Sequence, residues 1–274
     1  MTDERPLDDQ VLHRVEDGVA WITLNRPEAH NAITPDQRDR VIALLDDASD
    51  DLAIRCVVLT ANGKGFCTGA DLRASRAPRA RPDGAPDRTA GEIARMIREG
   101  AQKLIVAILD CEKPVIAAVN GTAAGIGAHL ALAADLVIAA ESASFIEVFV
   151  RRGLVPDGGG AYLLPRMIGI HKAKELMFFG DKLSATDAAE LGLVNRVVPD
   201  DQLLTAAAEW AGRLARGPRS IVLTKWLINR SLDSDRATAL HDEAMAQDLN
   251  MTTADAQEGV ASFVERRDPD YHGW

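Results

Sequence analysis

The chain has 274 residues, 47% of them hydrophobic, enough to build one large core or a core with an appendage. Its 41 acidic against 31 basic residues give a net charge of -10, a balance that repels polyanions and argues against a nucleic-acid partner. Cys56, Cys67 and Cys111 form no CxxC or Cys/His cluster, and such an odd, scattered set suits reduced thiols in a cytoplasmic protein better than a disulfide framework.

The opening "MTDERPLDDQ" lacks the apolar segment of a secretory signal. The greasiest stretch, 126–140, contains His129 and Asp135 and falls short of the roughly 20 apolar residues a bilayer span needs, so no membrane partner is expected. "VLHRVEDGVAWITLNRP" alternates apolar and polar residues on both sides of Asp17-Gly18 and predicts an antiparallel hairpin. Thr34-Pro35 supplies a helix cap and a first-turn proline, and Val41, Ile42, Leu44 and Leu45 continue with helical spacing. "IRCVVLTA" is a β-branched run suited to a buried strand, and the chain from there to Asp71 reads as a Gly-rich loop.

Residues 74–91 hold several arginines and three prolines with almost no large apolar side chain, the composition of a surface loop. It reads either as a solvated connector or as a lid drawing in an anionic substrate through Arg73, Arg76, Arg79 and Arg81. A helix over about 92–110, a strand "PVIAAVNG", a helix beginning in "GIGAHLALAADL" and a strand "DLVIAA" follow, the grammar of an α/β protein. Beyond about residue 200 four amphipathic helical stretches succeed one another, which divides the chain into a core, 1–200, and a helical region, 201–274.

Two segments share a design. In "GKGFCTGADL" and "VNGTAAGIGAHL" the glycines bend the backbone and uncover main-chain N–H groups, notably those of Ala70 and Ile126, the latter near the positive end of a helix dipole. Two such donors aimed at one point make an oxyanion hole. Neither segment fits GxGxxG or the P-loop, and no His/acidic spacing suggests a metal, so neither cofactor nor metal is expected.

The order "NRPEAHNAI", "GKGFCTGADL", "PVIAAVNGTAAGIG" with "ADLVIAA", "GLVPDGGGAYLLPRMIG", "SATDAAELGLVNRVVP" and "FVERRDP" resembles the enoyl-CoA hydratase/isomerase, or crotonase, superfamily over about residues 10–267. The resemblance implies a spiral of ββα repeats, a C-terminal helical trimerisation region with trimers or dimers of trimers, and acyl-CoA thioester substrates, with coenzyme A part of the substrate. It places the oxyanion hole at Ala70 and Ile126 and the coenzyme against Ala29, Ala32, Ala70, Asp71, Leu72 and Arg73. Phe263 and Arg266 would reach the adenine end from a neighbouring subunit, although Arg266 also reads as an exposed helix charge.

Hydratases of this family activate water with two glutamates, and the matching positions here are His129 and Phe149. Asp157, beside Gly158, Gly159 and Gly160, is the remaining carboxylate and resembles the acid/base of the phenylacetate-pathway isomerases; an aspartate at the matching place is the nucleophile of 4-chlorobenzoyl-CoA dehalogenases. One carboxylate is sufficient for an isomerase, which moves a proton from C2 to C4 of a 3-enoyl thioester. Asp157 also reads as a helix cap, and Glu147 is a rival acid if 145, 147 and 149 form an extended strand with one shared face. His129 reads either as a structural histidine, kept neutral by the helix start, or as an accessory to Asp157. Enoyl-CoA isomerisation therefore leads, with a one-carboxylate hydratase and a non-catalytic acyl-CoA binder as alternatives; the 4% aromatic content ranks dehalogenation low. Trp21, Phe66, Phe145 and the 74–91 loop are expected around the acyl pocket.

Overall fold

The computed structural model describes residues 5–74, 82–86 and 89–274. A single helical turn, α1 (Leu7–Gln10), leads into β1 (Val11–Glu16) and β2 (Val19–Leu24), which pair antiparallel with Val15 opposite Ala20. Asp17 and Gly18 both have positive φ, 49° and 75°, the backbone of a two-residue hairpin turn that matches strand twist. α2 (Pro35–Asp50) starts on a complete capping box: Thr34 Oγ accepts from the Gln37 N–H, and the Gln37 side chain accepts from the Thr34 N–H.

β3 (Cys56–Ala61) is buried throughout. The segment read as a loop to Asp71 contains a short strand, β4 (Gly65–Cys67), whose three residues are too few to set up a readable alternation. The expected helix over about 92–110 is interrupted: α3 (Glu92–Ile97) passes through one π-helical stretch, Arg98–Gln102, into α4 (Lys103–Leu109). β5 (Val115–Val119), β6 (Thr122–Ala124), α5 (Ile126–Leu132), β7 (Leu136–Ala140) and β8 (Ser144–Ile146) follow, then a 3-10 turn at Val148–Arg152. After α6 (Gly160–Ile168), α7 (Ile170–Phe179), β9 (Lys182–Ser184), α8 (Ala185–Glu190) and β10 (Arg196–Val198), the rest is helical: α9 (Leu203–Ala215), α10 (Ser220–Ser231), α11 (Arg236–Asn250) and α12 (Ala254–Glu265).

Among the described residues ten strands form two sheets, β1-β2-β3-β5-β7-β10 and β4-β6-β8-β9. Successive turns of the chain place one strand in each: β3 then β4, β5 then β6, β7 then β8. Strands of successive turns pair in parallel within each sheet. This is the expected spiral of repeated ββα units. The buried aliphatics of β3, β5 and β7 form the core shared with α2, α4, α5 and α9. α9 packs on β3, β5 and β7 with Leu203, Ala206, Ala207, Ala211 and Ala215 buried, so the helix just after residue 200 covers the sheet. α10 to α12 bury little and expose Ile228, Leu240, Leu249, Val260 and Phe263.

Candidate active site

The site gathers where β4, the start of α5 and the turn before α6 converge. β4 leads into Gly69 and Ala70, and a parallel bridge holds this backbone to Ile33: the Ile33 N–H donates to the Gly69 carbonyl at 2.8 Å and the Asp71 N–H to the Ile33 carbonyl at 2.9 Å. Both of those bonds flank Ala70, leaving its own N–H on the other side. Ile126 is the first residue of α5, so its N–H has no intrahelical carbonyl to bond. α5 can approach only because residue 127 is glycine: a Cβ there would lie 1.9 Å from the Cys67 carbonyl oxygen. Helix start and β4 exit are thus in backbone contact, and two N–H donors predicted from separate motifs fall in one region.

The segments expected to hold the coenzyme are tied into a unit by Arg26 and Asn31. Arg26 is buried; its Nη2 lies 3.2 Å from Asp71 Oδ2, and its Nη1 donates to the Ala32 carbonyl at 2.9 Å. Asn31 Oδ1 accepts from the Arg26 N–H at 2.7 Å, while Asn31 Nδ2 donates to the carbonyls of Asn62 and Gly65. Arg73 also donates from Nε to Asp71 Oδ1 at 3.1 Å. Burial works against the Asp71 charge, but hydrogen bonds from Arg73 and Arg26 outweigh it and hold the carboxyl below its ordinary range. Asp71 therefore spends its side chain on two arginines, while Ala70, Leu72 and Arg73 remain exposed beside it and Ala29 and Ala32 are half-buried. Of the proposed lid arginines, Arg76, Arg79 and Arg81 lie outside the described residues. Phe263, 84% exposed, and Arg266, at the left-handed C-terminal end of α12, sit outside this group.

His129 is completely buried on α5, and its Nε2 lies 3.0 Å from Glu147 Oε2 and 3.2 Å from Oε1. Glu147 does not continue a strand. β8 ends at Ile146, and Glu147 caps the 3-10 turn that follows, so the shared face expected for 145, 147 and 149 does not form. The turn instead swings Glu147 and Phe149 onto His129 from two directions: the Phe149 ring stacks on the imidazole, centroids 5.4 Å apart at 17°. At the same Nε2 end of the ring α6 begins at Gly160, where a Cβ would lie 2.1 Å from His129 Nε2.

Asp157 stands on the turn that ends in that contact. Gly158 and Gly159 have φ of 61° and 86°, and a Cβ at Gly158 would meet Ile126 Cδ1 at 3.3 Å. The turn therefore rests on Ile126 and His129, both in the first turn of α5. Burial raises the Asp157 carboxyl above its ordinary value, partly opposed by the charge of His129. Unlike Glu147, Asp157 is half-open to solvent, and Gly159 rather than Asp157 is the residue preceding α6.

A family model described as enoyl-CoA hydratase/isomerase matches residues 14–273. The chain belongs to this family. It is 39% identical to a protein of Rhodobacter capsulatus named "Probable enoyl-CoA hydratase" over 96% of this chain and 98% of that one. It is equally 39% identical to the 1,2-epoxyphenylacetyl-CoA isomerase of Escherichia coli K12, again over 96% and 98%. The solved enoyl-CoA hydratase of Bacillus anthracis superposes with a TM-score of 0.87 at 32% identity, covering 97% of this chain and 100% of that one. The protein is accordingly an enzyme of the enoyl-CoA hydratase/isomerase family, and an acyl-CoA thioester substrate is consistent with it. Among the described residues no helix is long and apolar enough to cross a membrane.

Arg26 stands in "NRPEAHNAI", yet sequence reasoning gave it no role, because that role depends on a partner 45 residues away. It also missed Glu147 as the partner of His129. Trp21, Phe66 and Phe145, expected to shape the acyl pocket, are 7%, 0% and 4% exposed; the Trp21 ring is covered by the Arg14 guanidinium at 4.5 Å. They are core residues because the strands that carry them lie inside the spiral.

Proposed function

We propose that this enzyme isomerises the double bond of an enoyl-CoA, 3-enoyl to 2-enoyl, with Asp157 as the proton shuttle and the N–H groups of Ala70 and Ile126 as oxyanion donors. The observation that carries the reading is the contrast among three side chains around the start of α5. At the positions where hydratases of the family hold water, His129 and Phe149 are buried and stacked on one another. Asp157 is the half-exposed carboxylate of the group, on a turn that touches Ile126. The isomerase name of one relative supports the same side of the family.

In the forward step the Asp157 carboxylate takes a proton from C2, and the C–H electron pair becomes part of a dienolate whose charge lies on the thioester oxygen. Two fixed N–H donors stabilise that charge; losing one such donor costs about 3 to 4 kcal/mol in comparable sites. The protonated Asp157 then returns the proton to C4, leaving the conjugated thioester and the original carboxylate. Burial strengthens Asp157 as a base by raising its proton affinity toward the working range. Ala29, Ala32, Leu72 and Arg73 form the surface for the coenzyme part of the substrate, and Phe263 and Arg266 extend it from a neighbouring subunit of a homotrimer or a dimer of trimers. The exposed apolar side chains of α10 to α12 support that assembly.

The test is incubation of the enzyme with 3-enoyl-CoA and, separately, with 2-enoyl-CoA in deuterated water, each followed by absorbance and mass. Conjugation of the first with deuterium uptake, and no gain of water by the second, is the expected result. Hydration of the 2-enoyl substrate, or binding of both without turnover, overturns the reading.

A further inference from the structure

A histidine kept only for packing spends both ring nitrogens on hydrogen bonds. His129 does not: Nε2 faces the Glu147 carboxylate, while Nδ1 is buried with no hydrogen-bond partner among the described residues. A buried unsatisfied polar atom costs about 1 to 3 kcal/mol, and replacing an ion pair by apolar groups of similar volume is often neutral or stabilising. A phenylalanine at 129 would stack on Phe149 and bury no polar atom. Neither packing nor stability accounts for this pair, which touches the Gly160 end of the Asp157 turn.

Resting on the proposed role of Asp157, we propose that Glu147 and His129 act as a buried positioning pair: the imidazole is the seat on which the Asp157 turn rests, and the pair's net charge sets the field that Asp157 faces. Three observations carry this. Phe149 covers one face of the ring, and Gly160 and Glu147 close on its Nε2 edge. It is completely buried, so no substrate reaches it and it acts only through its neighbours. Its electrostatic influence on Asp157 opposes the effect of burial.

Other titratable groups on the packed elements are less well placed. Arg98, Glu99 and Lys103, on the π-helical stretch and α4, are exposed, as are Arg151 and Arg152 beside Phe149 and Arg166 on α6. Solvent screens them. The Cys67 thiol on β4 is pushed up to about 11 by burial and stays uncharged at neutral pH.

The experiment compares the parent enzyme with His129→Gln, Glu147→Gln and Asp157→Asn, reading kcat and KM for 3-enoyl-CoA across pH, together with the ¹³C carboxyl titration of Asp157 without substrate. Asp157→Asn identifies the Asp157 signal. His129 opposes electrostatically the rise that burial gives the Asp157 carboxyl, so its removal is expected to move the acid limb of kcat, and the carboxyl titration, upward by about half a pH unit or more. Glu147→Gln, which keeps every heavy-atom position, is expected to displace both as well. Both variants should lose roughly 10- to 100-fold in kcat with KM changed by less than about threefold, the mark of a displaced base rather than a lost binding contact. If both variants fold and leave the limb and the carboxyl titration at the parental pH, the pair is packing alone and the proposal fails. Should His129→Gln not fold, Glu147→Gln decides by the same criterion. A parent enzyme that does not isomerise overturns the functional reading instead, and the substrate-free titration still tests the pair.

Discussion

Gly160 lies directly on the edge of the His129 ring, so close that a Cβ would come within 2.1 Å of Nε2. Because the ring is buried and stacked on Phe149, it has no open space to retreat into. Gly160→Ala must therefore push α6 outward or break the His129–Glu147 contact. Overpacking of this kind costs about 1 to 3 kcal/mol, which for a chain of this size is a fall in Tm of several degrees. We expect kcat to fall by about 10²-fold, since a shift of the order of 1 Å at Asp157 is enough for that. Thermal melts and steady-state kinetics check it; an alanine variant with parental Tm and kcat would show that the turn is not seated on the ring.

Asp157→Asn separates activity from stability. Burial raises the carboxyl, so the folded protein binds this proton more readily than the unfolded chain. The stability contributed is complete below the unfolded value of about 3.8 and is lost as pH rises through the higher folded value. At pH 7 the neutral asparagine removes that loss, so the variant is expected to melt above the parent at pH 7 and not at pH 3.5. Isomerisation should fall by about 10²- to 10⁴-fold, the span of a general acid–base contribution. Equal melting at both pH values would contradict the raised carboxyl.

Gly127→Ala addresses the oxyanion region. The new Cβ would meet backbone, the Cys67 carbonyl oxygen at 1.9 Å and its carbon at 2.6 Å, so no side-chain rotation relieves the clash. α5 must move away from β4, carrying the Ile126 N–H with it. For protein that still folds we expect kcat to fall by about 10²- to 10³-fold with acyl-CoA affinity changed little, as for removal of one oxyanion donor. An unchanged kcat would remove Ile126 from the proposed hole.

The Arg26–Asp71 pair predicts a stability effect with its own pH signature. Arg26→Met leaves Asp71 buried without its inner partner, and breaking a buried pair from one side costs about 3 to 5 kcal/mol. Arg73→Ala, which removes an exposed side chain, should cost less than about 1 kcal/mol. Because the Asp71 carboxyl is held below its ordinary value, its contribution is present above about pH 3.8 and disappears as pH falls through the lower folded value. Urea unfolding at pH 7 and pH 3 checks the pair: the deficit of Arg26→Met should shrink at the lower pH.

Much of the fold was written locally. The Asp17-Gly18 turn, the Thr34/Gln37 capping box, the β-branched run of β3 and the 3.6-residue stripes of α9 to α12 each need only residues within one element, and the structure keeps all of them. The glycine motifs before Ala70 and Ile126 were legible for the same reason, since backbone freedom is a property of the residue itself. The interruption of the 92–110 helix and the three-residue strand β4 were not, because neither leaves a period long enough to read.

The amino-acid sequence by itself determined the order of the elements, the family and the positions where a backbone must bend or a helix must begin. The tertiary structure decided which side chains meet. His129 and Glu147, 18 residues apart, touch because β8 stops at Ile146 and the next turn rotates Glu147 inward. Arg26 and Asp71, 45 residues apart, touch because β4 delivers Gly69 and Ala70 to a bridge with Ile33. Contacts of this range depend on the register between strands, which is set by the packing of the whole core and appears in no single stretch of letters.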